Sequence, residues 1–279
     1  MDIEVDILEF RVPIENNKTI FVWDIQPSDS EAYIYECLWN VYSEYGALYL
    51  VKLCENAAWA KPGFYALVKF YSSNQAATAQ RATDKQCLFQ SSPLKVRLST
   101  KKDSGCPYYA RPLSDAKCQE LANHYLGFNG WSSRIVTLKD LSNCGQTEMP
   151  ASDGHSQETL LKFGCIIELT FPQHGISCRG VGVTEEMIDT TIAPENFLRK
   201  RKALMKWTQS RALVNAFEKV LLLVLGNGKV AIECRIDPDE ILPDEDFKGV
   251  LKVNDISWSQ LNTDEEDELP WEFTVDLSQ

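Results

Sequence analysis

Alternation of apolar and polar positions is sharpest at Phe64-Tyr65-Ala66-Leu67-Val68-Lys69-Phe70. Ala66, Val68 and Phe70 fall on one side of an extended chain and Tyr65, Leu67 and Lys69 on the other, which predicts a strand with one buried face. The second face is unusual, because an aromatic, an aliphatic and a cation are not ordinary polar covering. Thr19-Ile20-Phe21-Val22-Trp23-Asp24-Ile25 repeats the pattern, with Ile20 and Val22 inward and Phe21 and Trp23 outward. A partner with flat apolar faces and negative charge suits such a surface, and a nucleotide strand has both.

The elements around these stretches follow from breakers and periodicity. Ser28-Asp29-Ser30 opens a helix that runs to about Tyr45, with Leu38, Val41 and Tyr45 on one stripe and Gly46 ending it. Ala47–Cys54 reads as a strand and 56–62 as a loop tipped by Trp59. Ser73–Gln86 reads as a helix packing through Ala76, Ala79 and Ala82. Leu94–Leu98 is a last strand with Lys95 and Arg97 outward. The order is βαββαβ, a recognised supersecondary unit. Residues 1–17 read as a loosely held lead-in and 18–99 as the first domain. Residues 100–113 are a polar, proline-bearing linker whose Lys101 and Lys102 either extend a basic strip or are solvated charge.

At this point the chain resembles the RNA recognition motif family. Ile20 to Ile25 is similar to that family's apolar hexamer and Gly63 to Phe70 to its aromatic octamer, with Gly63 and Phe64 where the octamer's cation and glycine usually stand. The resemblance implies a ferredoxin-like sheet whose stacking positions are Phe21 and Tyr65, with Leu67 in place of a further aromatic. Lys69, Lys95 and Arg97 would share the open face with Phe21, Trp23 and Tyr65. The competing reading is a covered sheet, its outward aromatics buried under the lead-in, the tail or the next domain.

The second half has its own pattern. Ser114–Asn123 reads as a helix with Cys118, Leu121 and Ala122 inward. Strands are expected at Ile135–Leu138, Leu161–Phe171 and Gly180–Val183, with a Ser/Asp/Gly-rich loop at 143–157. Pro194 starts a helix expected to reach about Leu225. Its predicted buried stripe is Leu204, Trp207, Val214, Phe217, Leu221 and Val224, and its polar side carries Arg199, Lys200, Arg201, Lys202, Lys206 and Arg211. Val230–Ile236 suits a final strand. Leu121-Ala122-Asn123 followed by Gly127-Phe128-Asn129-Gly130-Trp131 resembles the Rad-fifty-two strand-annealing family. That resemblance implies a βββα core, a groove beside sheet and helix for single-stranded DNA, and association of subunits into rings. The family's basic residue before the helix falls on Lys117. Its paired basic residues in the long helix fall on Asn215 and Ala216, so that pair is missing.

Charge first argues against nucleic acid, since the net charge is −12. Residues 1–230, however, carry 25 Lys and Arg against 25 Asp and Glu, and residues 231–279 carry 3 against 15. The acidity is that of a tail. Residues 237–279 read as disordered and suited to docking on a protein partner, or to imitating phosphates and bases at the platform through Asp264–Glu268, Trp271 and Phe273. Nine cysteines without a CxxC pair, beside three histidines, argue against a disulfide framework and a zinc site. The longest apolar run, Val220–Leu225, is six residues, far below a membrane span. An acidic amino terminus does not read as a signal peptide, so a soluble, intracellular chain is expected.

No phosphate-cradling loop, nucleophile elbow or His-Glu-x-x-His is present, so no catalytic residue, metal or cofactor is expected. Arg199–Lys202 is either a nuclear import signal or phosphate-binding edge, or the solvated face of a helix. The sequence thus predicts an α+β chain, a βαββαβ RNA recognition motif followed by a βββα Rad-fifty-two-like domain (114–236) and an acidic tail. Together the two resemblances imply a non-enzymatic binder of single-stranded DNA and RNA in recombination, repair and the DNA-damage response. They also imply homo-oligomers and a nuclear and nucleolar setting with some cytoplasmic protein. The alternative is a protein-interaction adaptor using the sheet face and tail.

Overall fold

The computed structural model describes residues 5–58, 61–99, 111–142, 158–189 and 193–235. Trp59, Lys101 and Lys102, the loop 143–157 and the acidic tail 237–279 lie outside the described residues. The first half holds β2 (Thr19–Ile25), α1 (Glu31–Ser43), β3 (Leu48–Glu55), β4 (Phe64–Phe70), α2 (Ser73–Thr83) and β5 (Lys95–Leu98), after a short strand β1 (Val5–Glu9). The order βαββαβ produces one antiparallel sheet, β3-β4-β2-β5. Local chemistry sets the helix starts: Ser30 Oγ accepts from the Tyr33 amide at 3.3 Å and Ser72 Oγ from the Gln75 amide at 3.1 Å.

One face of this sheet is apolar, and both helices cover it. Ile20, Val22 and Ile25 of β2 and Ala66, Val68 and Phe70 of β4 form a single core with Ile34, Leu38 and Tyr42 of α1 and Ala76 and Ala79 of α2. The buried stripe of α1 is therefore centred on Tyr42, with Val41 and Tyr45 at its margin. α2 stops at Thr83, short of the expected Gln86, because Asp84 turns away to accept from the Val96 amide at 2.9 Å and seat β5.

The second half contains α3 (Asp115–Leu126), the antiparallel sheet β6 (Ser132–Asp140), β7 (Glu158–Phe171) and β8 (Ile176–Asp189), and then α4 (Pro194–Phe217). The third strand is much longer than the four residues expected. α4 lies on β7 and β8 at very close range. A Cβ on Gly180 would lie 2.2 Å from the Ala212 carbonyl oxygen, and one on Gly182 would lie 2.4 Å from that of Thr208. Glycines on the strand and small residues on the helix permit this approach. β8 is an edge strand, and α4 also closes that edge: Asn215 Nδ2 donates to the Val181 carbonyl at 2.7 Å and an Arg211 guanidinium nitrogen to the Val183 carbonyl at 3.0 Å.

Three sequence expectations are corrected. The helix from Pro194 ends at Phe217, and Val220–Leu225 is a strand, β9. This aliphatic run has no polar side to show solvent, and it is satisfied as the central strand between β1 and β10 (Val230–Cys234). Residues 1–17 are not simply a loose lead-in: Val5 to Glu9 pair with Leu225 to Leu221, and Leu8 and Phe10 enter the core of the second half. The Phe10 and Phe217 ring centroids are 4.8 Å apart. Within α4, Leu204 and Phe217 are buried, but Trp207 is 63% exposed.

The first half is consequently inserted into the second. Its entry and exit run side by side, with the Val12 amide donating to the Arg111 carbonyl at 2.8 Å and the Leu113 amide to the Phe10 carbonyl at 3.3 Å. Ala47 and Tyr71 of the first half join the core of the second, Gln75 Nε2 donates to Tyr125 Oη at 3.1 Å, and the Ser72 hydroxyl bonds the Asp6 carboxylate. No described helix is long and apolar enough to cross a membrane.

Replacing Gly180 by Ala places a methyl against helix backbone that cannot yield cheaply, and is expected to cost about 1–3 kcal/mol in urea unfolding. Asn215→Ala leaves the Val181 carbonyl without its side-chain donor and is expected to cost about 1 kcal/mol in the same measurement.

Candidate nucleic-acid interface

The second face of the β3-β4-β2-β5 sheet is assembled by strand register. Phe21 stands opposite Leu67 on β4 and opposite Arg97 on β5, while Trp23 stands opposite Lys95. Alternation keeps Phe21, Trp23, Tyr65 and Leu67 on the side away from the helices. Phe21 is the centre of the group: its ring centroid is 5.4 Å from that of Trp23 and 5.3 Å from that of Tyr65. All four side chains are half-buried and not sealed by the described residues, while the tail that the covered-sheet reading also invoked lies outside them. A hydrogen bond with Cys54, directly opposite on the neighbouring strand, holds the Tyr65 phenol above its ordinary value.

The cations on this face have different roles. Arg97 is exposed, and its guanidinium carbon lies 5.6 Å from the Trp23 ring centroid, a cation–π contact that keeps its charge beside the aromatics. Lys95 is exposed and ion-paired to Asp24 at 2.8 Å. Lys69 is half-buried and donates to the Pro13 carbonyl at 2.9 Å, so it fastens the incoming chain to the sheet and is not the free cation expected from its register.

The end of the platform is not visible in the sequence pattern. Register slips between Val22 and Ile25, where Asp24 takes φ 63°, and Gln90 holds this bulge by donating to the Asp24 carbonyl at 2.8 Å and accepting from the Gln26 amide at 2.9 Å. Beyond Trp23 the bulge opens a groove of about 540 Å³ that adds Asn56, Lys61 and Lys85 to Lys95 and Arg97. These residues come from separate loops beside the Asp24 bulge, which periodicity does not signal.

In the second half the expected site residues do not form one cluster. Lys117 pairs with Glu120 at 2.7 Å on the surface of α3. The run Arg199–Lys202 divides, as consecutive residues on a helix must, at about 100° per residue. Lys200 pairs with Glu186 at 3.1 Å, and Arg201 with Asp140 at 3.1 Å while lying 5.6 Å from the Phe163 ring centroid. Arg199 and Lys202 point to solvent. Burial works to raise the Asp140 carboxyl, but hydrogen bonds from Ser142 and the Arg201 charge outweigh it and hold the group below its ordinary value. The run is thus partly a set of helix-to-sheet ties and not a single basic edge.

The Gly-Phe-Asn-Gly-Trp turn has a structural explanation. Gly127, at φ 72°, ends α3, and the Trp131 indole donates back to Asn123 Oδ1 at 2.8 Å while packing edge-on against Phe217. Asn215 and Ala216, where the annealing family's paired cations would fall, cap the β8 edge and pack on Gly180. Among the described residues no group of three or more His, Cys, Asp or Glu side chains converges as a metal site.

Comparison with known proteins now has a geometry to meet. A family model described as "RDM1 DSRM domain" matches residues 113–221, the stretch from the start of α3 into β9. Among solved structures, the RRM3 domain of Mip6 is 21% identical over 32% of this chain and all of its own, with a TM-score of 0.27. A Sxl-Lethal protein/RNA complex is 19% identical over 30% of this chain and 48% of that one, with a TM-score of 0.25. Whole-chain relatives carry one name, RAD52 motif-containing protein 1. The protein of Danio rerio is 64% identical over 99% of both chains. That of Homo sapiens is 39% identical over 94% of this chain and 93% of its own, and that of Gallus gallus is 39% identical over 96% and 98%. Likeness of this extent, running through both halves, shows that the chain belongs to the RAD52 motif-containing protein 1 family.

Proposed function

We propose that this protein binds single-stranded DNA and RNA through its sheet platform, without catalysis, and acts in DNA recombination, repair and the damage response in the nucleus. The observation that carries the reading is the ring group centred on Phe21, half-open to solvent, with Arg97 against Trp23 and Lys95 opposite it on β5. Bases stack on such rings at about 1–3 kcal/mol each, whatever their sequence, while neighbouring cations follow the backbone. Either sugar is accommodated, because stacking alone does not read the 2′-hydroxyl. The family's name supports the repair setting, and the groove beyond Trp23 supplies further cations for a strand longer than the platform.

Replacing Phe21 and Tyr65 together by Ala is expected to weaken binding of a labelled oligonucleotide by about tenfold or more, with an unchanged melting temperature. Normal binding by that folded double variant would sink the platform and favour the adaptor reading. Lys95→Ala with Arg97→Ala is expected to flatten the log–log salt dependence of the affinity by about 1.4, roughly 0.7 for each phosphate no longer neutralised.

A further inference from the structure

We propose that Trp207 and the cations around it on α4 form a second stacking site for single-stranded nucleic acid, separate from the sheet platform. The inference rests on the reading of this protein as a single-strand binder. Its starting point is the 63% exposure of Trp207 between Leu204 and Thr208, which are 2% and 0% exposed. A tryptophan presented to water from a well-packed helix has a large apolar face with nothing to cover it.

Helical spacing defines what surrounds the ring. Ala203 and Arg211, four residues to either side, share its stripe. A helical side chain leans over the turn before it, so the methyl of Ala203 leaves the indole face open. Arg211 is held in place by its bond to the Val183 carbonyl. Arg199 and Lys206 are exposed about 80–100° around the helix from the ring and make no ion pair among the described residues, while Lys202 lies about 140° away. A flat apolar ring edged by unpaired cations matches a base and its phosphates better than it matches a peptide.

The neighbouring edge of β8 also argues against a second copy of this chain as the occupant. Strand addition needs free backbone groups, and the carbonyls of Val181 and Val183 are already taken by Asn215 and Arg211. Trp207 lies on a different structural layer from Phe21, so a strand long enough to reach both would be gripped at two places.

Titration of fluorescein-labelled oligo(dT) against the full chain tests this. Trp207→Ala is expected to raise Kd about tenfold, whereas Trp207→Phe keeps most of the affinity, and both keep the wild-type melting temperature. Arg199→Ala with Lys206→Ala is expected to flatten the salt slope by about 1.4. In the Phe21→Ala, Tyr65→Ala background, Trp207→Ala should remove the residual binding. Wild-type Kd for Trp207→Ala overturns the second site while leaving the platform standing. Unchanged Kd with a lower sedimentation mass would identify the ring as a homotypic contact instead. Failure of the wild-type chain to bind any oligonucleotide overturns both readings.

Discussion

Pairing of Val5–Glu9 with Leu221–Leu225 is the constraint on which the rest of the molecule depends. It joins the two ends of the described chain in one sheet and carries Leu8 and Phe10 into the core of the second half. Everything between must leave and return at that place, and the entry and exit strands do so side by side. Loop closure over this distance costs conformational entropy before any contact returns it. The return comes from the apolar run of β9, which is covered only when a neighbour pairs with each of its edges.

The insertion also settles how the first half is carried. Its helix-side corner, through Ala47, Tyr71 and Gln75, packs on the second half, leaving the opposite sheet face available. Tyr71 is buried there, its hydroxyl without a hydrogen-bond partner among the described residues. Lys69 illustrates the same economy of position: a residue whose register places it on the platform is used to hold the chain coming from β1.

α4 serves two surfaces with one period. Ala212, Ala216 and Thr208 are small enough to let it lie on Gly180 and Gly182, and this proximity brings Asn215 and Arg211 within reach of the β8 edge. Trp207 falls off the helix face formed by Leu204, Thr208, Ala212 and Ala216 and is left exposed. Structural duties thus occupy positions that the annealing family gives to cations, and the exposed cations lie elsewhere on the helix.

Local features were legible in the sequence because their causes are local. Alternation in Phe64–Phe70 and Thr19–Ile25 set which side chains face out, Ser28-Asp29-Ser30 announced the first helix, and the apolar hexamer and octamer carried the platform's identity. Four features depended on tertiary structure. Val220–Leu225 suits a buried helix turn or a strand equally well until its neighbours are known. Val5–Glu9 is a strand only because β9 lies beside it. The groove beyond Trp23 is lined by loops far apart in the chain that meet beside the Asp24 bulge. Trp207 fitted an apolar stripe in sequence, but the face of α4 that meets the sheet runs through Leu204, Thr208, Ala212 and Ala216. Patterns along a chain report the faces of single elements, whereas which face meets protein and which meets water is fixed by non-local contacts that only packing reveals.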